Sequence, residues 1–282
     1  MKQFIFYRTN QRFTTPSGQQ AEPILAPNNR SFFQKIKEIK NRVRKSQFAV
    51  IAFSFVLLFT ATSCLEEYFV SGNRSLVTET RYARNFDEIA SGGEFVVNVV
   101  PGDEYSVRVT AESNLLGYIE TNVVNGILKI RTQNVYNLHN HLPMTIDVVC
   151  PELDGLRLSG SGSITSGYFE TDNFEATVSG SGKIFADIDA NRIEGNVSGS
   201  GDIILTGTAT ETNFNISGSG KIRSYDLVQH YCNAKISGSG DMYVNVSKTL
   251  DATISGSGKI FYINNPSIHS KISGSGEVVN RN

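Results

Sequence analysis

The body of this chain lacks a basic surface. Residues 64–282 carry sixteen Lys/Arg against twenty-five Asp/Glu, a balance of −9. Nucleic-acid recognition needs a basic footprint, so that class is excluded. The chain also lacks a long apolar run. Its uncharged stretch FAVIAFSFVLLFTATS, residues 48–63, falls short of the ~20 residues of a bilayer span. Cysteine is scarce, at Cys64, Cys150 and Cys232. Hydrophobic residues make up 39% and charged residues 19%, so the composition suits a packed core rather than disorder.

The missing positive charge sits at the other end. Residues 1–63 carry ten Lys/Arg and two Asp/Glu, a balance of +8. FFQKIKEIKNRVRKSQ runs into the apolar stretch, which ends in small residues before Cys64. A basic region, an apolar region and small residues at a cut site make a secretory signal. Ala61-Thr62-Ser63-Cys64 resembles the lipobox of bacterial lipoproteins, with Ala61 where that motif usually has Leu. The resemblance implies that Cys64 is lipidated and becomes the first mature residue. A single transmembrane anchor with an incidental Cys64 is the competing reading. LEEYF, just after Cys64, is similar to the surface-export signals of Bacteroidetes lipoproteins. The residues ahead of the basic stretch are either a cytoplasmic extension or lie upstream of the true start.

What the body has in abundance is one phrase. SGSG begins at residues 159, 179, 198, 217, 237, 255 and 273. A near-fixed period of 18–20 residues signals a repeat architecture and is too short for paired helices. Gly, Ser and β-branched residues also disfavour helix. Just before the first Ser stand Leu158, Val178, Val197, Ile216, Ile236, Ile254 and Ile272. Five after it stand Ile164, Ile184, Ile203, Ile222, Met242, Ile260 and Val278. The column two before the Ser is wholly polar. This period-2 alternation marks half-buried strands. Parity then puts both glycines inside and both serines outside. Strands of this kind bury a continuous core only by stacking. The expected fold is therefore all-β, a parallel β-solenoid, right-handed like other parallel crossovers. The spacing leaves open whether SGSG is a corner or a pinched straight strand.

The residue after SGSG alternates in charge from the second copy on: Lys183, Asp202, Lys221, Asp241, Lys259 and Glu277. Stacked at ~4.8 Å, these residues form a ladder whose value lies in fixing which rung lies on which. Cys150 and Cys232 precede different copies, roughly 19 Å apart at that pitch, beyond disulfide reach. Two unpaired, buried thiols are expected.

Ahead of the repeats the chain reads FDEIASGGEFVVNVVPGDEYSVRV, then IETNVVNGILKIRTQ with a hairpin-type turn at Asn125-Gly126. ASGGEF, residues 90–95, reads as an eroded copy with Glu94 in the charge column and Phe95 in the apolar column. Residues 85–158 are read as the same β structure with irregular coils, with a distinct small β domain as the alternative. The FDEI…SGGEFVVNVVPGDEYSVRV opening, the NGILKI segment and the SGSGxI ladder resemble the putative auto-transporter adhesin head (GIN) domain family. The resemblance covers about residues 85–282. It implies an exported, often lipid-anchored protein of Bacteroidetes with a β-helix-like fold, and it supplies no catalytic residues. The expected organisation is an extension and signal at 1–63, a tether at 64–84 and the solenoid at 85–282.

Sites of chemistry are few. GSGK at three positions is followed by Ile184, Ile222 and Ile260, where a phosphate loop needs Ser or Thr. His139-Asn140-His141 has no further ligand at metal spacing. Asp187 and Asp189 share a strand face, but rungs of 18–20 residues leave no room for the long loops that build a catalytic cleft. No His shares the repeat with its serines. Six after the first Ser stand Phe185, Tyr243 and Phe261, with Arg223 between. By parity this stripe faces outward and suits a glycan or a surface protein. The sequence thus points to a non-enzymatic, lipid-anchored protein of the cell envelope, at the outer membrane and cell surface, acting in adhesion or surface binding. No cofactor or metal is expected. A passive structural or sensory periplasmic module is the second reading, and a polysaccharide-active enzyme the third. The last copy has no recognisable cap, and end-to-end self-association is a further expectation. The ladder is tested by Lys221→Glu, which places three acids in succession. The expected outcome is a lower melting temperature, and unchanged stability at low salt would sink the idea.

Overall fold

A computed structural model describes residues 68–133 and 136–282. The signal segment, Cys64 and the start of the tether lie outside the described residues. Ten short strands come first: β1 Tyr68–Ser71, β2 Leu76–Arg81, β3 Glu88–Gly93, β4 Val96–Pro101, β5 Ser106–Glu112, β6 Ile119–Val124, β7 Ile127–Thr132, β8 Tyr136–His139, β9 Thr145–Cys150 and β10 Gly155–Gly160. Five long strands follow, one per repeat: β11 Ser163–Gly180, β12 Lys183–Gly199, β13 Asp202–Gly218, β14 Lys221–Gly238 and β15 Asp241–Gly256. The last coil is shorter, with β16 Lys259–Ile263, β17 Ser267–Gly274 and β18 Glu277–Asn280.

The repeats stack in parallel and in register. Val178 lies beside Leu158 and Val197, and Ile184 beside Ile164 and Ile203. Both apolar columns are buried as far as Ile254 and Ile260. Each long strand bends once. In β12, Ile184, Ala186 and Ile188 face inward, exposed residues follow at 191–192, and then Ile193 and Val197 face inward again. A rung is thus two inward-facing arcs with two corners. The fold is an all-β solenoid of parallel rungs, as the columns predict.

SGSG is the first corner. The strand ends on the first glycine and resumes after the second. Gly180, Gly199, Gly218, Gly238 and Gly256 have φ between 125° and 138°, a region that side chains disfavour. The carbonyls of Gly160, Gly180, Gly199, Gly218 and Gly238 each accept two N–H groups from the rung above. Ser181 N and Gly182 N reach Gly160 O at 3.0 and 2.9 Å, and the pattern recurs up the stack. The second glycine is excluded from growing for a different reason. A Cβ on Gly220 would lie 2.2 Å from Gly201 O and 2.5 Å from a Val197 methyl. Both serines of each copy point to solvent.

The chain before the repeats builds the same sheets in a different order. β7 lies beside β3 and β9 beside β4, while β10 and the start of β11 lie on their other side. The coil of β7 and β9, which follows β3 and β4 in the chain, therefore lies before them in the stack. At that end the pairing turns antiparallel: β6 on β7, β5 on β9 and β2 on β5. The hairpin between β6 and β7 turns at Asn125-Gly126, both with positive φ. Nearby Glu112 is fully buried. Its carboxylate accepts the backbone N–H groups of Arg74, His141 and Leu142. Burial pushes this carboxyl up, but the three N–H groups outweigh that and hold it below its ordinary value.

Three expectations need correction or refinement. The tether does not extend to residue 84, because β1 and β2 lie within it. β2 is held through its backbone while its side chains stay largely exposed, so no apolar alternation announces it. The eroded copy sits two residues off the expected register. Val96 and Val97 take the charge and apolar columns beside Ser163 and Ile164, and Phe95 falls at the second glycine. Its fully buried ring fills space that no glycine could fill. Glu94 stays outside, where it accepts from Ser161 Oγ at 3.3 Å. Finally, Cys150 and Cys232 are free and buried as expected. Burial raises both thiols to about 12. On the path β9–β4–β11–β12–β13–β14 they lie five strand steps apart, farther than chain order suggests.

The corner geometry separates glycine from serine. Gly220→Ala is expected to cost about 3 kcal/mol by overpacking, or roughly 10 °C of melting temperature. Ser219→Ala is expected to change it by less than about 2 °C. Equal effects in thermal unfolding would refute the close-approach account.

Candidate functional site

The charge column stands in register along the stack: Lys183, Asp202, Lys221, Asp241, Lys259 and Glu277 are successive neighbours. Contact is uneven. Lys259 Nζ lies 2.8 Å from Glu277 and holds its carboxyl below the ordinary value. Lys183 Nζ is 4.0 Å from Asp202. Asp202 instead takes the Arg223 guanidinium at 3.0 Å. Arg223 belongs to the aromatic column, so one ion pair ties the two columns together.

Phe185, Ile204, Arg223, Tyr243 and Phe261 form that column in order. Tyr243 and Phe261 stack with centroids 5.0 Å apart and planes at 20°. Tyr225 meets Tyr243 edge-on at 5.6 Å. The Arg281 guanidinium lies 5.0 Å over Phe261. At the C-terminal end of the stack the rings therefore cover one another's faces. Phe185, with Ile204 and Arg223 between it and that stack, remains a more open aromatic, 39% exposed. The periodicity missed Tyr225 because a register shift between Ser224 and Val228 moves it toward Tyr243. It missed Arg281 because the residue lies past the last strand.

The second corner forms a groove that the repeat columns did not announce. It crosses four rungs and encloses about 750 Å³. Small residues, Ala190 and Ala209, lie along its floor. Glu170, Asp189 and Thr208 line one wall, and Asp172, Asn191, Thr210 and His230 the other. The walls follow from register, since Glu170, Asp189 and Thr208 are successive neighbours. Asp189 is fixed on both oxygens: Thr208 Oγ1 donates to Oδ1 at 2.8 Å and the Tyr168 hydroxyl to Oδ2 at 3.0 Å. Thr208, with Tyr168, holds the Asp189 carboxyl below its ordinary value, and the same contact raises the Tyr168 hydroxyl. Asn191 donates to Asp172 at 2.9 Å. Among the described residues no Lys or Arg lines the groove.

Other sequence candidates resolve into rung-to-rung contacts. Asp187 accepts from Thr206 Oγ1 at 2.9 Å, parallel to the Asp189–Thr208 bond above. The His139 and His141 rings meet edge-on at 5.3 Å. Among the described residues no cluster of three or more His, Cys, Asp or Glu could hold a metal ion.

A family model described as "Putative auto-transporter adhesin, head GIN domain" matches residues 85–266. A crystal structure of a putative adhesin from Bacteroides fragilis is similar at 22% identity and a TM-score of 0.72, covering 75% of this chain and 100% of that one. A putative lipid binding protein from Parabacteroides distasonis is similar at 27% identity and a TM-score of 0.66, covering 76% of this chain and 100% of that one. A putative adhesin from Parabacteroides merdae is similar at 20% identity and a TM-score of 0.59, over 76% and 100% of the two chains. The search of curated proteins returned no match.

The ring stack is a stabilising contact whose weight can be measured. Tyr243→Ala is expected to lower stability by about 3 kcal/mol or more, from lost area and lost stacking. Phe185→Ala, at an open ring, is expected to cost under about 1 kcal/mol. Chemical unfolding of the two variants decides it, and equal losses would count against stacking.

Proposed function

The chain belongs to the putative auto-transporter adhesin, head GIN domain family, and on that premise we propose a non-enzymatic, lipid-anchored module of the cell envelope that binds a surface glycan. Cys64 is the attachment point. The acidic residues after it direct the mature protein to the outer face of the outer membrane. The solenoid then stands off the membrane as a rigid binding head.

One observation carries the binding reading: the polar groove at the second corner. Carboxylates, an amide, hydroxyls and an imidazole line it, the mixture that recognises sugar hydroxyls. Exposed Tyr168, bonded to Asp189 in the groove wall, and exposed Phe185, farther along the same outer surface, offer ring faces of the kind sugars stack on. A fixed, ionised Asp189 is a hydrogen-bond acceptor. It is poorly suited to donate a proton at neutral pH, which a glycosidase acid must do.

A glycan array read alongside a depolymerisation assay tests this. Binding without cleavage is expected, with at least about tenfold loss of affinity in Asn191→Ala/Thr210→Ala. Release of shortened glycan would replace the reading with an enzyme. Binding that ignores the groove variant would move the site elsewhere. Protease treatment of intact cells should remove the protein, and Cys64→Ala should leave it unanchored. Protection from protease would favour a periplasmic module.

A further inference from the structure

The first coils of the stack carry an exposed apolar surface. Fourteen large hydrophobic side chains are exposed among the described residues, and five of them, Tyr68, Phe69, Leu76, Val77 and Tyr82, fall within residues 68–82. Phe69 is 75% and Tyr82 85% exposed. Tyr68 is backed by further rings: its centroid lies 6.0 Å from that of Tyr136, which lies 4.5 Å from that of Tyr118. β2, which carries Leu76 and Val77, is an edge strand that pairs with β5 alone. Charge here differs from that of the acidic body. Residues 65–84 hold Arg74, Arg81 and Arg84 against Glu66, Glu67 and Glu79, a balance of zero. The Arg84 guanidinium lies 5.1 Å from the centre of the Tyr82 ring.

The link from this surface to Cys64 is short and has no slack. Only residues 65–67 separate Cys64 from β1. β1 and the turn after it cannot lend length, because they are fixed to the solenoid. Gly72 N–H donates to His139 O at 2.9 Å, Asn114 Nδ2 to Ser71 O at 2.8 Å, and Ser113 N–H to Ser75 O at 2.8 Å. Buried Glu112 takes the Arg74 N–H between them. From Cys64 to Tyr68 the chain spans at most about 14 Å. A headgroup layer is roughly 6 Å deep on each side of the hydrocarbon. We infer that the first coils sit in the headgroup layer of the membrane that holds Cys64, with Tyr68 and Phe69 inserted as interfacial rings. The inference rests on the lipid anchor at Cys64 set out above. Given that anchor, β1 starts no more than about 8 Å beyond the headgroups, and the cleaved signal segment cannot cover it. Aromatic rings, and guanidinium groups beside them, favour that layer. The local charge balance of zero leaves the hold to apolar contact, so salt does not release it.

The chain has no tryptophan, so a single introduced one reports alone. The full chain, expressed with its own signal and purified with its lipid, is placed in vesicles of phosphatidylethanolamine and phosphatidylglycerol. Part of the lipid carries bromine on the acyl chains near the headgroup. Phe69→Trp should lose roughly half or more of its emission to the brominated lipid, at high salt as at low. Tyr231→Trp, exposed on β14 and five strand steps beyond β9, should lose none. Mass spectrometry of the Cys64 peptide reads the anchor separately. A lipidated chain whose ring at position 69 is quenched no more than the one at position 231 would overturn the inference and leave the anchor standing. An unmodified Cys64 would overturn both. An emission shift at position 69 that follows protein concentration and ignores the brominated lipid would assign the surface to a second copy and overturn the membrane contact.

Discussion

The interaction on which the rest depends is the approach of one glycine backbone to another at the SGSG corner. The first glycine's carbonyl accepts two N–H groups from the next rung at 2.9–3.2 Å. The second glycine sits where any Cβ would strike the carbonyl beneath. The paired N–H contacts recur from Gly160 to Gly238 and lock the rung spacing along one edge. The Ile and Val columns on either side can then align without slipping, because a slip would force a bulkier residue into the glycine line. The charge ladder inherits its register from the same corner. Its own pairs are exposed and uneven, and pairs of that kind add little stability.

A rigid first corner makes the second one the place where variation collects. The period varies between 18 and 20 residues, yet pairing through SGSG never shifts. The register shifts fall instead between Thr165 and Tyr168, between Ile204 and Gly207, between Ser224 and Val228, and between Gln229 and Tyr231. All lie on the arc leading to the second corner or at that corner. In β14 the first of its two shifts reverses parity, so Val228 is 48% exposed while Gln229 is fully buried. The buried amide is not left unpaired. It meets Thr212 and, at 3.3 Å, Ser224, whose hydroxyl donates to Tyr243 O at 3.0 Å. The groove opens at this tolerant corner. Variation there alters the groove without disturbing the glycine line, as loops vary on other scaffolds.

What the sequence disclosed follows from this division. The solenoid, the two apolar columns, the outward serines, the Asn125-Gly126 hairpin and the separated thiols were legible because repetition samples the same environment seven times. The first coils were not, because each occurs once and their spatial order differs from their chain order. Phe95 read as an apolar-column residue. Its place at a glycine position is possible only because the coil below it is irregular. β2 left no trace because backbone pairing, not side-chain burial, holds it. The groove escaped because its walls combine residues before and after a corner whose spacing varies from copy to copy, so no column contains them.

The same physics limits what such a surface can do. Catalysis by paired carboxylates needs two acids in unlike environments, one of them kept protonated. A stacked repeat tends to give neighbouring acids like environments. Asp187 and Asp189 illustrate it: each accepts a threonine hydroxyl from the rung above, at 2.9 and 2.8 Å. Thr206 and Thr208 thereby make equivalent contacts, and Thr208 holds the Asp189 carboxyl below its ordinary value. An array of fixed acceptors at a fixed pitch presents hydrogen-bonding groups to an extended ligand and spends no conformational entropy in doing so. That is the property a binding head needs, and it follows from the glycine corner that sets the pitch.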